Sequence, residues 1–172
     1  VGSEMCIRDS IDSVLDTVSR AESERELAQI REELTEQGYL RKQKGKQRPQ
    51  AALPPLEFTS SDGFKILVGR NNTQNDKLTL KIANKNDMWL HTKDIHGSHT
   101  VVFAEGREIS DTAILEAAQL AAYYSKARES SQVPVDYTLV RYVSKPSGAR
   151  PGMVIYVNNK TVYVTPKANI SE

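Results

Sequence analysis

The chain has 172 residues, with 23 Lys+Arg against 22 Asp+Glu and a net charge of +1. That length allows one domain with a real core plus an appendage, and the balance of charge says little about partners by itself. A single cysteine, Cys6, excludes an intramolecular disulfide and fits a reducing compartment. No apolar run approaches the roughly 20 residues that a membrane span needs. The first ten residues show no signal-peptide pattern and residue 1 is not Met, so the chain reads as a piece of a longer protein, and a cytoplasmic location is the expectation.

The first element in chain order is a helical arm, residues 1–39. Ile11, Val14, Leu15, Val18 and Ala21 follow helical spacing, and Leu27, Ile30 and Leu34 resume it after a break around Glu22 to Glu26. Asp9 or Ser10 suits the N-cap, and Gly38 suits the stop. The arm carries four basic residues and ten acids. Its apolar stripe is narrow, and a lone helix of that kind is marginal in water. It therefore reads as one arm of a coiled coil whose partner helix lies elsewhere in the full protein. Residues 40–55 form a linker with five basic residues from Leu40 to Gln50 and no acid there. Its prolines and dense charge disfavour helix and buried strand.

The globular part, 56–172, has a mixed pattern. Glu57–Thr59 and Phe64–Val68 read as strands around a turn at Ser61-Asp62-Gly63. Asn71-Asn72-Thr73 caps a helix expected to carry Leu78, Leu80 and Ile82. Met88–His91 and Thr100–Phe103 are short strands. Ser110-Asp111 opens a helix with Ile114, Ala117, Ala118, Ala121 and Tyr124 on one face. Val135–Val143 is one long β-rich run, and Met153–Val157 with Thr161–Val164 flank Asn158-Asn159-Lys160 as a hairpin. The expectation is an α+β fold with a small mixed sheet and two or more helices.

Three segments carry candidate chemistry. Asp87 to His99 holds the one Trp and all three His. On a strand Asp87, Trp89 and His91 share a face. With Lys93 following, they offer a base-stacking platform beside a phosphate contact, or else Trp89 is a core anchor with a partner for its indole N–H. His91, His96 and His99 raise a metal site, although their spacing matches no usual zinc pattern. Lys145-Pro-Ser-Gly-Ala-Arg-Pro-Gly152 is an irregular loop with donors and cations suited to phosphate, or an ordinary surface loop. Gly69-Arg-Asn-Asn72 precedes a helix start, where anions are attracted, or simply caps and turns.

Phe64-Lys-Ile-Leu-Val-Gly-Arg-Asn-Asn72, Asn75-Asp-Lys-Leu78, Asp87-Met-Trp-Leu-His91, Lys93-Asp-Ile-His-Gly-Ser-His99 and Lys145-Pro-Ser-Gly-Ala-Arg-Pro-Gly-Met153 resemble, in that order, the NFACT-R domain of the RqcH/NEMF ribosome quality-control family. Bacterial members also carry the label fibronectin-binding protein A. The resemblance covers about 56–168. It implies an RNA-binding module without catalytic residues or cofactor. The partners it implies are tRNA and the large ribosomal subunit, in support of alanine tailing of stalled chains. It assigns phosphate contacts to Arg70, Lys93, Lys145 and Arg150. Asn71, Ser98 and Ser147 would donate hydrogen bonds, Asn72 would lie in the same RNA-binding set, and Gly97, Gly148 and Gly152 would allow close backbone approach. Trp89 and His91 would shape the site, with Asp87 and His99 beside them. His96 stands where relatives often have proline. The competing classes are a metal-dependent or RNA-modifying enzyme using His91, His96 and His99, and a surface fibronectin-binding adhesin.

Overall fold

In a computed structural model, residues 12–21, 23–41 and 51–168 are described. The chain divides into two compact units, 1–54 and 55–172. In the first, helix α1 covers 12–20 and α2 covers Glu24–Glu36. The break between them follows from capping: the Ser23 hydroxyl accepts the Glu26 N–H at 3.2 Å and starts a new helix. Gly38, at φ +82, ends α2 as expected. Tyr39 N–H reaches Leu34 O at 2.9 Å and Gly38 N–H reaches Thr35 O at 3.2 Å, a Schellman closure that needs the left-handed residue between them. The caps expected at Asp9 or Ser10, and Ile11, lie outside the described residues.

The second unit is built on six strands, β1 (Leu56–Thr59), β2 (Lys65–Val68), β3 (Met88–Thr92), β4 (Thr100–Val102), β5 (Val133–Leu139) and β8 (Lys160–Val164), which form one sheet in the order β1-β2-β4-β3-β5-β8. The α+β class holds, and every pairing in this sheet is antiparallel. The β1–β2 turn closes where expected, on Gly63 at φ +90. The Ser110 hydroxyl caps helix α4 (Asp111–Tyr123) by accepting Ala113 N–H at 3.1 Å. Ala113, Ala117, Ala118 and Ala121 are fully buried, and their small side chains let α4 sit close on Ile66, Val68, Leu90, Val102 and Val135.

The other sheet face is covered differently. Leu67, Trp89, Val101 and Phe103 pack there with Leu78 and Val143, and partly buried Ala83, Val140, Val154 and Tyr156 close over them. This second layer departs from the sequence expectations in three places. The helix after Asn71 is only α3 (Asn72–Lys77), followed by a wider π-helical turn, Leu78–Ile82, closed by Ala83 N–H to Leu78 O at 2.9 Å. Widening rotates the side chains, so Leu78 and Thr79 are buried while Leu80 and Ile82 are each 41 % exposed. The long run from Val135 stops at Leu139: Val140 N–H still reaches Asp87 O at 2.9 Å, in register with the β3–β5 ladder, but the backbone then closes a 3-10 turn over Val140–Tyr142. The expected hairpin around Asn158 does not form. Asn158 does make the turn, at φ +55, yet β7 (Ile155–Tyr156) pairs with β6 (Val143–Ser144) and β8 pairs with β5. The carbonyl of Val157 accepts the Thr138 hydroxyl at 2.9 Å, which holds the turn against β5.

Candidate nucleic-acid interface

The end of β2, the start of β4, α3 and the loop 145–152 are knitted around a few polar side chains. Asn71 caps α3 by accepting Gln74 N–H at 2.8 Å. Asn75 is 3 % exposed, and its Oδ1 accepts the His99 N–H at 3.2 Å. A Cβ at Gly69 would stand 1.9 Å from that same Oδ1, so only glycine lets β2 pass the helix. Gly69 N–H completes the seam by donating to His99 O at 3.0 Å.

Asp76 holds the basic loop. Its Oδ2 accepts from Lys145 Nζ at 2.8 Å and its Oδ1 from Gly152 N–H at 2.9 Å. Lys145 Nζ also donates to Arg150 O at 2.6 Å. The lysine assigned to phosphate from the sequence is thus a strut inside the loop, with two of its three donors committed. Gly152 sits at φ +84, and a Cβ there would meet Asn72 Oδ1 at 2.7 Å. Its close approach is to Asn72. Gly97 is similar: a Cβ would meet Thr92 Oγ1 at 2.8 Å and Ser125 Cβ at 3.0 Å. Gly148, at φ +75, faces open space beside exposed Ser147.

His99 ties the loop to the π-helical turn. Its Nε2 lies 3.1 Å from Gly152 O and its Nδ1 lies 2.8 Å from Thr79 Oγ1. A carbonyl can only accept, so Nε2 carries the proton and Nδ1 accepts the threonine hydroxyl. Burial, with a smaller contribution from coupling to the neighbouring His91 imidazole, holds the His99 pKa down at about 3. Neutral His99 is a structural bridge with both nitrogens committed. His91 is held neutral in the same direction, mainly by burial, and donates from Nδ1 to Thr92 O at 2.7 Å. His96 sits in the β3–β4 connection, where its carbonyl accepts Lys126 N–H at 2.9 Å. Among the described residues, no three His, Cys, Asp or Glu side chains are grouped to hold a metal.

Trp89 does not offer a stacking face. It is 1 % exposed, with its ring parallel to His91 at 5.8 Å and edge-on to His99 at 5.3 Å. Tyr156 tilts against it at 4.7 Å. The indole N–H finds no acceptor among the described residues, so the anchor lacks the partner that a buried Trp usually has. Tyr156 donates to buried Asp136 at 2.6 Å, and burial, together with that carboxylate, pushes the phenol above its ordinary range. Asp87 lies at the other end of β3, where its carboxylate accepts Asn84 N–H at 2.7 Å and Ala104 N–H at 2.9 Å. It shapes a turn and does not join the loop cluster. Ser98 is buried, with its N–H on Tyr124 O at 3.1 Å, and Lys93 is exposed at the end of β3.

The structure therefore brings together Arg70, Asn71, Asn72, His99, Lys145, Arg150 and Gly152. Trp89 and His91 lie beneath them through His99. The sequence gives Asp76 a place in the motif Asn75-Asp-Lys-Leu78 but no role, and it does not mark Thr79.

Residues 55–158 match a family model described as the NFACT protein RNA binding domain. The chain is 50% identical over 161 residues to the Rqc2 homolog RqcH of Bacillus subtilis (strain 168), spanning 92% of this chain and 28% of that protein. Against the Rqc2 homolog RqcH of Streptococcus suis (strain 05ZYH33) it is 45% identical over 159 residues, again 92% and 28%. The chain thus spans little more than a quarter of the curated relatives it matches. A solved structure, the C-terminal part of the fibronectin/fibrinogen-binding protein from Streptococcus suis, superposes with a TM-score of 0.85 at 43% identity, covering 92% of this chain and 63% of that one.

Proposed function

Because the chain belongs to the family of NFACT protein RNA binding domains, we propose that it is the RNA-binding module of a ribosome quality-control factor. Its partners are tRNA and the obstructed large ribosomal subunit, and within the full protein it supports alanine tailing of stalled chains. One observation carries the reading. Three motifs distant in sequence converge on a single surface, where Asp76 fixes a Gly/Pro loop carrying Arg150 against the segment carrying Arg70 and Asn72. Cations and backbone donors held at fixed spacing suit a phosphate backbone, which they position without reading sequence. In this reading Arg70, Arg150 and Lys93 touch phosphate, Asn72 and Ser147 donate hydrogen bonds, and Lys145, His99 and Trp89 hold the surface in place. Residues 1–39 supply one strand of a coiled coil whose partner lies in the rest of the protein.

The test is binding of the 172-residue chain to tRNA and to purified large ribosomal subunits over a salt series. Affinity should fall steeply with salt, and Arg70→Glu/Arg150→Glu should weaken it at every salt concentration while flattening the slope. Unchanged binding by that variant would remove this surface from the interface. The name of the solved relative supports one other reading, binding to fibronectin, and saturable capture on immobilised fibronectin without RNA binding would favour it.

A further inference from the structure

The net charge of +1 hides a segregation. Residues 77–86 contain three lysines, residues 140–168 contain five Lys+Arg, and neither stretch contains an acid. These two stretches supply the π-helical turn and the β6–β7 hairpin, the layer over the second sheet face, which holds Arg141, Lys145 and Arg150; Lys160 lies in β8, and Lys167, whose N–H reaches Gln119 O of α4, lies beyond it. On the side of α4, residues 104–116 hold four acids and one arginine.

The basic layer also exposes apolar side chains. Leu80 and Ile82 are each 41 % exposed, Met153 46 %, Ile155 59 % and Val157 58 %, with Tyr142 at 37 %. These residues sit on fixed backbone. Val143 pairs with Tyr156 and Ser144 with Ile155, so once Val143 and Tyr156 face the sheet, Ile155 must face out. Val157 N–H donates to Tyr142 O at 3.2 Å, and Arg141 bonds to Lys85 O and to the Asn86 side chain. The turn and the hairpin are thereby joined, with Lys81 standing between Leu80 and Ile82 and with Lys85 and Arg141 at the margin.

We propose that this layer is a second contact surface for RNA, specific for unpaired strands, with phosphates on Lys81, Lys85 and Arg141 and with bases and riboses on the apolar stripe. The inference rests on the RNA-binding reading and extends it to residues that no motif marks. Two physical points favour it. Protein interfaces are depleted in lysine, whereas here lysines are interleaved with the apolar residues. A duplex keeps its base faces stacked and offers such a stripe nothing, while an unpaired strand can stack a base on Tyr142 and bury others against the aliphatic side chains.

Fluorescence anisotropy with a labelled unstructured 12-nucleotide RNA and a 12-base-pair RNA duplex tests the proposal on the whole chain. The single strand should bind at least about fivefold more tightly than the duplex. Lys81→Gln/Lys85→Gln should reduce the log–log salt slope by about 1.4, two single-strand phosphate contacts. Leu80→Ser/Ile155→Ser should lose about five- to tenfold in affinity at every salt concentration with the slope unchanged. Thermal midpoints of both variants within a few degrees of the parent show that they are folded. Equal binding of duplex and single strand overturns the inference, as does parental affinity in a folded Leu80→Ser/Ile155→Ser protein, which would assign the stripe to a protein partner. If tRNA binding is lost in Arg70→Glu/Arg150→Glu and untouched in both of these variants, this inference fails and the proposed function stands. If the parent binds no RNA at low salt, the proposed function itself fails.

Discussion

Two layers cover the same sheet by opposite means. Over one face lies a single 13-residue helix whose alanines fit the strands and whose outer face carries acids. Over the other lie a six-residue helix, a π-helical turn and a hairpin of two two-residue strands, pinned by polar side chains and studded with cations. The helix is stabilised by repetition: small apolar residues at helical spacing bury one face, and no single contact decides the outcome. The irregular layer depends on particular atoms, namely Asp76, Asn75, His99 and Gly69. A surface that must hold cations at set positions needs such fixed, aperiodic backbone, and Asn71, Asn75, Asp76, His99 and Gly152 fall on that side, while Gly97 and Ser98 pack on Ser125 and Tyr124 at the end of α4.

The largest expected effect separates the two possible roles of Trp89. Trp89→Ala should destabilise the second unit by about 3–5 kcal/mol, the cost of emptying a large aromatic site in a core. Chemical denaturation measures this directly. The milder Trp89→Phe should keep parental RNA affinity in the folded protein. A tenfold loss of RNA binding with unchanged stability would mean instead that the ring reaches a base.

His99 gives the next effect and a sign that can be worked out. Its folded pKa of about 3 lies below the ordinary 6.5, so the unfolded chain takes up a proton that the folded chain refuses. Its contribution is complete above pH 6.5 and is lost as pH falls toward 3. Between pH 7.5 and 5 the parent should lose about 2 kcal/mol more than His99→Gln, at about 1.4 kcal/mol per pH unit. His91, shifted the same way, adds to the slope in both proteins. Urea midpoints at the two pH values decide the matter, and parallel losses in both proteins would exonerate His99.

The helical layer was readable because its signals are local. Ser110 as a cap and the run of Ala117, Ala118 and Ala121 specify α4 within a single stretch of chain. The turns at Gly38 and Gly63 were readable for the same reason, since a left-handed residue is a local demand. The second layer was misread wherever a long-range partner overrode the local pattern. Leu80 and Ile82 have helical spacing, but capture of Thr79 by His99 accompanies a wider turn that points both outward. Asn158-Asn159 looks like a hairpin turn, yet β6 is available to take β7 and β5 to take β8. Of the candidate site, composition marks the loops but not the contacts within them, because nothing in Lys145-Pro-Ser-Gly-Ala-Arg-Pro-Gly152 shows that Asp76 will occupy its lysine.

That lysine offers a sharper comparison at smaller energy. Asp76→Asn should cost about 1 kcal/mol, because the Lys145 pair is only partly buried and the amide retains one acceptor. Hydrogen exchange across residues 145–153 should quicken. RNA affinity should drop even though the variant is one charge more positive. A rise in affinity would show that net charge, not loop geometry, governs binding.

The smallest effect tests the acidic side. Glu105 and Glu108 are exposed on the approach to α4. If the two layers divide their labour as their charges suggest, Glu105→Gln/Glu108→Gln should shift stability by no more than about 0.5 kcal/mol. Its RNA affinity at about 0.15 M salt should stay within roughly twofold of the parent, because charges on the far side of the sheet lie beyond the screening length of about 8 Å. Anisotropy at that salt and at a tenth of it separates the possibilities. A gain confined to low salt is long-range repulsion relieved and leaves the division intact. A gain that persists at the higher salt would place RNA within reach of the acids, on the α4 side.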